Sequence, residues 1–126
     1  MINFSKLQQE IKEYATAREQ LILKSREVLK LSKLLIYAVH RDELKNAAQL
    51  LKEIEQKKKE LDKIATHNHK METEGSYKIA VQEYVEAVLY LAFVQKGQLV
   101  EVDCSPEHFV LGLADLPGEL NRRAVF

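Results

Sequence analysis

Hydrophobic residues along this chain recur at helical spacing in four stretches. Phe4, Leu7, Ile11, Tyr14, Leu21, Val28, Leu35 and Val39 follow one another at intervals of three, four and seven, with no glycine or proline between residues 4 and 40. One long helix is predicted there, and Asn3 or Ser5 is suited to cap its start. The segment HRD (40–42) ends it, and Asp42 is placed to cap a second helix that runs to about Ala65. Leu44, Ala47, Ala48, Leu51, Ile54, Leu61 and Ile64 form the apolar stripe of that helix. Its charged run KEIEQKKKELDK (52–63) reads as a solvated face rather than a binding patch, with Glu53 and Lys57 at the i,i+4 spacing that supports an exposed helix.

The polar segment THNHKMETEG (66–75) is a connector; His67, His69, Glu72 and Glu74 within it resemble a metal loop only superficially, because the segment is polar throughout and has no cysteine. Ser76 is expected to cap a third helix over 77–95, which Gly97 stops. QLVEVD (98–103) has too brief an alternation to count as a strand. SPEHF (105–109) is a strong helix start, with Ser105 as cap, Pro106 in the first position and Glu107 in the first turn. The fourth helix continues towards the chain end, and Pro117 with Gly118 is expected to kink or split it. The expected fold is therefore all-α, a single domain over 1–126 built as a long-helix, roughly antiparallel bundle.

Composition narrows the function classes. Hydrophobic residues make up 46% and charged residues 30%, as in a soluble globular domain. Net charge is zero, so nucleic-acid binding would have to come from a local basic stripe. A lone cysteine, Cys104, excludes an internal disulfide and suits a cytoplasmic location. The N-terminus MINFSKLQQE lacks the apolar core of a signal peptide, and the longest apolar run is about half a membrane span, so no membrane association is expected.

The third helix poses the chemical question. From Ala87 to Val94 it carries no charge, yet Glu83 and Glu86 stand at the head of that run on one side of the helix. Asp115 and Glu119 share a face of the fourth helix, His108 lies two turns before Asp115 on that face, and Gly112 between them leaves room for a close approach. Should the two helices pack side by side, four carboxylates converge, and such a cluster raises its own pKa values unless a cation neutralises it. All-oxygen ligands select hard ions such as Mg²⁺ or Mn²⁺. Spacing alone, however, more often means surface acids or partners for Arg122 and Arg123. A di-iron site is disfavoured, because no Glu-x-x-His motif occurs. On the first helix Arg26, Lys30, Lys33, Tyr37 and Arg41, with His40 adjoining, make one cationic stripe containing an aromatic ring. Such a stripe can neutralise phosphates and stack a base, or it can be an exposed polar face with a half-buried tyrosine.

The segments KSREVLKLSKLLIYAVHR (24–41), QEYVEA (82–87) and LGLADLPGELNRR (111–123), in this order and spacing, resemble the translin superfamily. They are more similar to its translin-associated factor X (TRAX) branch than to translin itself. The resemblance implies an all-helical subunit of a hollow oligomer and a Mg²⁺-dependent endoribonuclease acting on single-stranded RNA. It also implies a homo-oligomer or a translin-like partner chain. In the TRAX branch the metal and catalytic positions match Glu83, Glu86, Asp115 and Glu119 here, and Arg26, Lys33 and Arg41 suit the RNA path. Lys30 and Tyr37 join that path through the stripe alone. The alternative within the family is a non-catalytic subunit that binds single-stranded RNA or DNA. Pro117 departs from the family pattern. Family chains also continue through further helices beyond the GEL motif, whereas Phe126 ends this sequence, which leads one to expect an exposed apolar surface that drives association.

Overall fold

A computed structural model describes residues 3–125. Four helices, α1 (Phe4–His40), α2 (Leu44–Thr66), α3 (Gly75–Lys96) and α4 (Pro106–Val125), account for most of the chain, and a short 3-10 turn (His69–Thr73) links α2 to α3. The expected all-α bundle of long helices is what the chain forms. No strand occurs among the described residues, and no helix there is long and apolar enough to cross a membrane.

Local chemistry sets most boundaries. The Asn3 side chain accepts from the Lys6 amide and caps α1. Gly97, at φ 67°, closes α3 in the left-handed region, donating its amide to the Phe93 carbonyl at 2.8 Å. Ser105 Oγ accepts from the His108 amide at 3.3 Å and opens α4. Three expectations change. Asp42 does not cap α2: it takes the left-handed corner at φ 58°, which aspartate tolerates, and its carboxylate instead receives Arg123. Glu74, not Ser76, occupies the cap position of α3, without a capping bond from its side chain. Pro117 neither splits nor ends α4. It lies on the exposed side, while Leu116 and Glu119 beside it are buried, so packing outweighs the missing amide bond.

α1 packs along both α2 and α3, and α4 packs on α3. Lys24 pairs with Glu60, so α1 and α2 are antiparallel. Tyr14 reaches Glu74 and His40 reaches Tyr90, so α3 runs in the direction of α1. Tyr77 meets His108 and Gln82 meets Asp115, so α4 also runs in that direction. The bundle is therefore antiparallel only at α2 and not throughout as expected, because the connector between α3 and α4 carries the chain back along α3 instead of turning tightly. Residues 97–105 return along α3, from its end at Lys96 towards Tyr77, with bends at Gly97–Gln98 and Asp103–Cys104. Half-buried Val100, Val102 and Cys104 alternate along this path with exposed Leu99, Glu101 and Asp103.

The core runs through Leu21, Val28, Leu35 and Val39 of α1, Ile54 and Leu61 of α2, and Val81, Val85, Leu89 and Tyr90 of α3. Ser25 and Ser32 fill α1 seam positions between these residues, buried and with hydroxyls that find no partner among the described residues. Lys58, within the run read as solvated, is also buried; it pairs with Asp62 at 2.6 Å and lies over the Tyr84 ring. The first turns of α1 leave Phe4 and Ile11 in solvent, as do Ile79 on α3 and Val110 on α4.

Candidate active site

Gly112 governs how α4 meets α3. A Cβ there would stand 2.5 Å from Val85 Cγ1 and 3.2 Å from the Glu86 amide nitrogen, so only glycine permits this approach. Two turns further along α4, Glu119 then comes to lie beside Glu86, and both are buried, at 5% and 4% exposure. Glu83 is half-buried next to them. Asp115 is exposed, and its Oδ2 accepts from Gln82 Nε2 at 3.0 Å. All four line one cleft of about 350 Å³, walled by Ala114, Gly118 and Arg122.

Electrostatics in this cleft is that of crowded acids. Burial pushes the Glu86 carboxyl up to about 8, helped by its hydrogen bond with Glu119 and by the charges of Glu83, Glu119 and Asp115. Burial also raises Glu83; Lys33 opposes this, and Glu119 and Asp115 add to it. Among the described residues neither Glu83 nor Glu86 forms an ion pair. Glu119 does: its Oε1 accepts from Arg122 at 2.6 Å and its Oε2 lies 2.8 Å from His40 Nε2. With Glu119 drawn to His40 and Arg122, and Asp115 to Gln82, no three His, Cys, Asp or Glu side chains among the described residues already converge as ligands. The donor set still suits a hard divalent cation, since it is all oxygen and three of its carboxylates, Glu83, Glu86 and Asp115, form no ion pair among the described residues.

A second cleft, of about 640 Å³, opens between α1 and these acids. Lys33, Tyr37, His40 and Arg41 line it together with Glu83, Glu119 and Arg122, so the two clefts share a wall. Tyr37 is 56% exposed, with its ring free for stacking. Arg26 and Lys30 are exposed on the same helix but lie outside this cleft, further from the acids. His108 is not part of the acidic group. Two turns of helix are about 10 Å, and at that end of α4 its ring meets Tyr77 edge-on and its Nδ1 lies 3.0 Å from Ser105 Oγ. There it lines a separate polar cleft with Lys58 and Asp62. Burial lowers the pKa of its imidazole. The side chain of His69 lies outside the described residues, and the metal-loop likeness of that segment lies outside them with it.

Sequence reasoning missed the contacts that hold the acids: Gln82 on Asp115, and the link from Tyr90 through His40 to Glu119. One signal was present. Tyr90 is the only side chain in the run 87–94 that can form a strong hydrogen bond, and a buried phenol needs a partner.

The translin family model matches residues 16–105. The chain belongs to the translin family. The matched range ends before α4, so it contains Glu83 and Glu86 but not Asp115 and Glu119. No curated protein matches this translin-family chain. Among solved structures, apo-NeC3PO is similar over 99% of the chain at 22% identity, with a TM-score of 0.91. AfC3PO is similar over 98% at 25% identity, with a TM-score of 0.88. AfC3PO in complex with duplex RNA gives 24% identity over 98%, with a TM-score of 0.84. The chain spans 68% of the first of these and 65% of the other two, about two thirds of their length.

Proposed function

We propose that this chain is a catalytic, TRAX-type translin-family subunit: a metal-dependent endoribonuclease acting on single-stranded RNA. The observation that carries the reading is the shared wall between a cleft of four carboxylates and a cleft lined by Lys33, Tyr37 and Arg41. Glu83, Glu86, Asp115 and Glu119 would hold a Mg²⁺ or Mn²⁺ ion. When bound, the ion supplies Lewis-acid polarisation of a phosphoryl oxygen and an acidified water. The chain's own residues do the rest. Lys33 and Arg41 neutralise phosphates, Tyr37 offers a stacking face, and none of them reads sequence. A carboxylate of the acidic cleft accepts the proton of the attacking water. AfC3PO is known in complex with duplex RNA, which supports RNA as the ligand class of this fold. The exposed Phe4, Ile11, Ile79 and Val110 support assembly with further copies or with a translin-like partner chain. A cytoplasmic setting suits the free Cys104.

Cleavage of a fluorescent single-stranded RNA in Mg²⁺ tests the reading. Glu86→Ala is expected to lower the rate by at least about a hundredfold, the scale on which one group that stabilises transition-state charge acts. Equal rates for the two proteins would remove the assigned mechanism. A non-catalytic single-strand binder is the second reading, favoured by the engagement of Glu119 and Asp115 with His40, Arg122 and Gln82. It predicts RNA binding without cleavage and no saturable Mn²⁺ site in calorimetry.

A further inference from the structure

Tyr90, His40 and Glu119 form one hydrogen-bonded chain across three helices. Tyr90 Oη lies 2.9 Å from His40 Nδ1, and His40 Nε2 lies 2.8 Å from Glu119 Oε2. The direction of donation follows from the outer end. An ionised Glu119, already taking a bond from Arg122 on its other oxygen, can only accept, so His40 Nε2 donates. In a neutral imidazole Nδ1 is then the acceptor, and the Tyr90 O–H donates to it. The arrangement is enclosed: Tyr90 is fully buried, and the side chains of His40 and Glu119 are 14% and 6% exposed. The two rings also pack against each other, with centroids 5.1 Å apart. Arg122 is a weaker restraint on Glu119, since its side chain is 63% exposed.

We infer that His40, with its tautomer set by the Tyr90 hydroxyl, is a positioning residue that holds Glu119 oriented beside Glu86 for a divalent cation. The inference rests on the metal reading above. A ligating carboxylate needs its own hydrogen-bond partner to stay aimed, and loss of such a partner typically lowers metal affinity about 10–100-fold. Tyr90 fixes the imidazole, the imidazole fixes the carboxylate, and the first link is anchored in the core.

The test is calorimetric titration of the full chain with Mn²⁺, paired with binding of a single-stranded RNA in metal-free buffer. His40→Ala is expected to weaken Mn²⁺ binding about 10–100-fold, and in Tyr90→Phe, whose side chain lines neither cleft, metal-free RNA affinity should stay within about twofold. His40→Gln, whose amide can donate from nearly the same place, should recover most of the loss. Tyr90→Phe keeps the ring and its packing, and should show a smaller loss of the same kind. Should His40→Ala melt early, His40→Gln and Tyr90→Phe still decide, because both conserve volume. Unchanged Mn²⁺ affinity in Tyr90→Phe and His40→Ala overturns the inference, as does a loss of RNA affinity with Mn²⁺ affinity intact, which would make His40 an RNA contact. If the wild-type chain has no saturable Mn²⁺ site, the metal reading itself fails and the inference falls with it.

Discussion

A carboxyl group whose folded-state pKa is about 8 instead of 4.5 retains a proton that the unfolded chain has already released. The resulting stability is complete below the unfolded value and is lost as pH rises through the folded one. Glu83 is shifted in the same direction, and the charged groups acting on the pair include Glu119, Asp115 and Lys33. Metal-free protein should therefore melt at a lower temperature at pH 9 than at pH 6, and Glu86→Gln should flatten that slope in a series of thermal melts. Ser25 and Ser32 make a separate case, because each buries a hydroxyl without a partner among the described residues. Ser32→Ala should raise unfolding free energy by about 1 kcal/mol in urea titration, since it removes a desolvated polar group at little cost in volume. At this scale the sequence was legible where placement follows helical spacing: Glu83, Glu86, Asp115 and Glu119 line one cleft. Lys58 was misread as part of a solvated face. It sits four residues after Ile54 and three before Leu61, in the buried stripe, but its charge disguised it. The His40–Tyr90 contact was not legible, because fifty residues separate the two and no local period links them.

Helices were the most legible elements, since their apolar period and their caps at Asn3, Gly97 and Ser105 are local. Pro117 misled because the burial of its neighbours is a tertiary effect. The glycines of α4 separate intrinsic preference from packing. A methyl group added at Gly118 would meet nothing within 4 Å, so Gly118→Ala should stabilise by about 0.5–1 kcal/mol through helix propensity. Gly112→Ala carries the same propensity gain but forces its methyl into Val85 and the Glu86 backbone. It should destabilise by about 1–3 kcal/mol in the same urea titration.

At the scale of the molecule, the apolar periods predict a bundle of long helices but not the direction in which each one travels, which depends on how residues 97–105 are laid down. The same arrangement places the basic stripe of α1 across from the acids of α3 and α4, so RNA affinity and cleavage should respond differently to mutation. Lys33→Ala and Arg41→Ala should each reduce the salt dependence of single-strand binding by about 0.7 in log–log slope, read by fluorescence anisotropy across a salt series. Arg26→Ala, outside the cleft, should alter cleavage less than either.

The nine residues between α3 and α4 set how far along α3 the fourth helix begins. Deleting a stretch such as Gln98 and Leu99 would pull α4 lengthwise, carrying Gly112 out of step with Val85 and parting the acids, whereas an inserted residue would simply bow outward. Tolerance to length change in this strap is thus one-sided, and a shortened chain should keep its helices while losing their alignment.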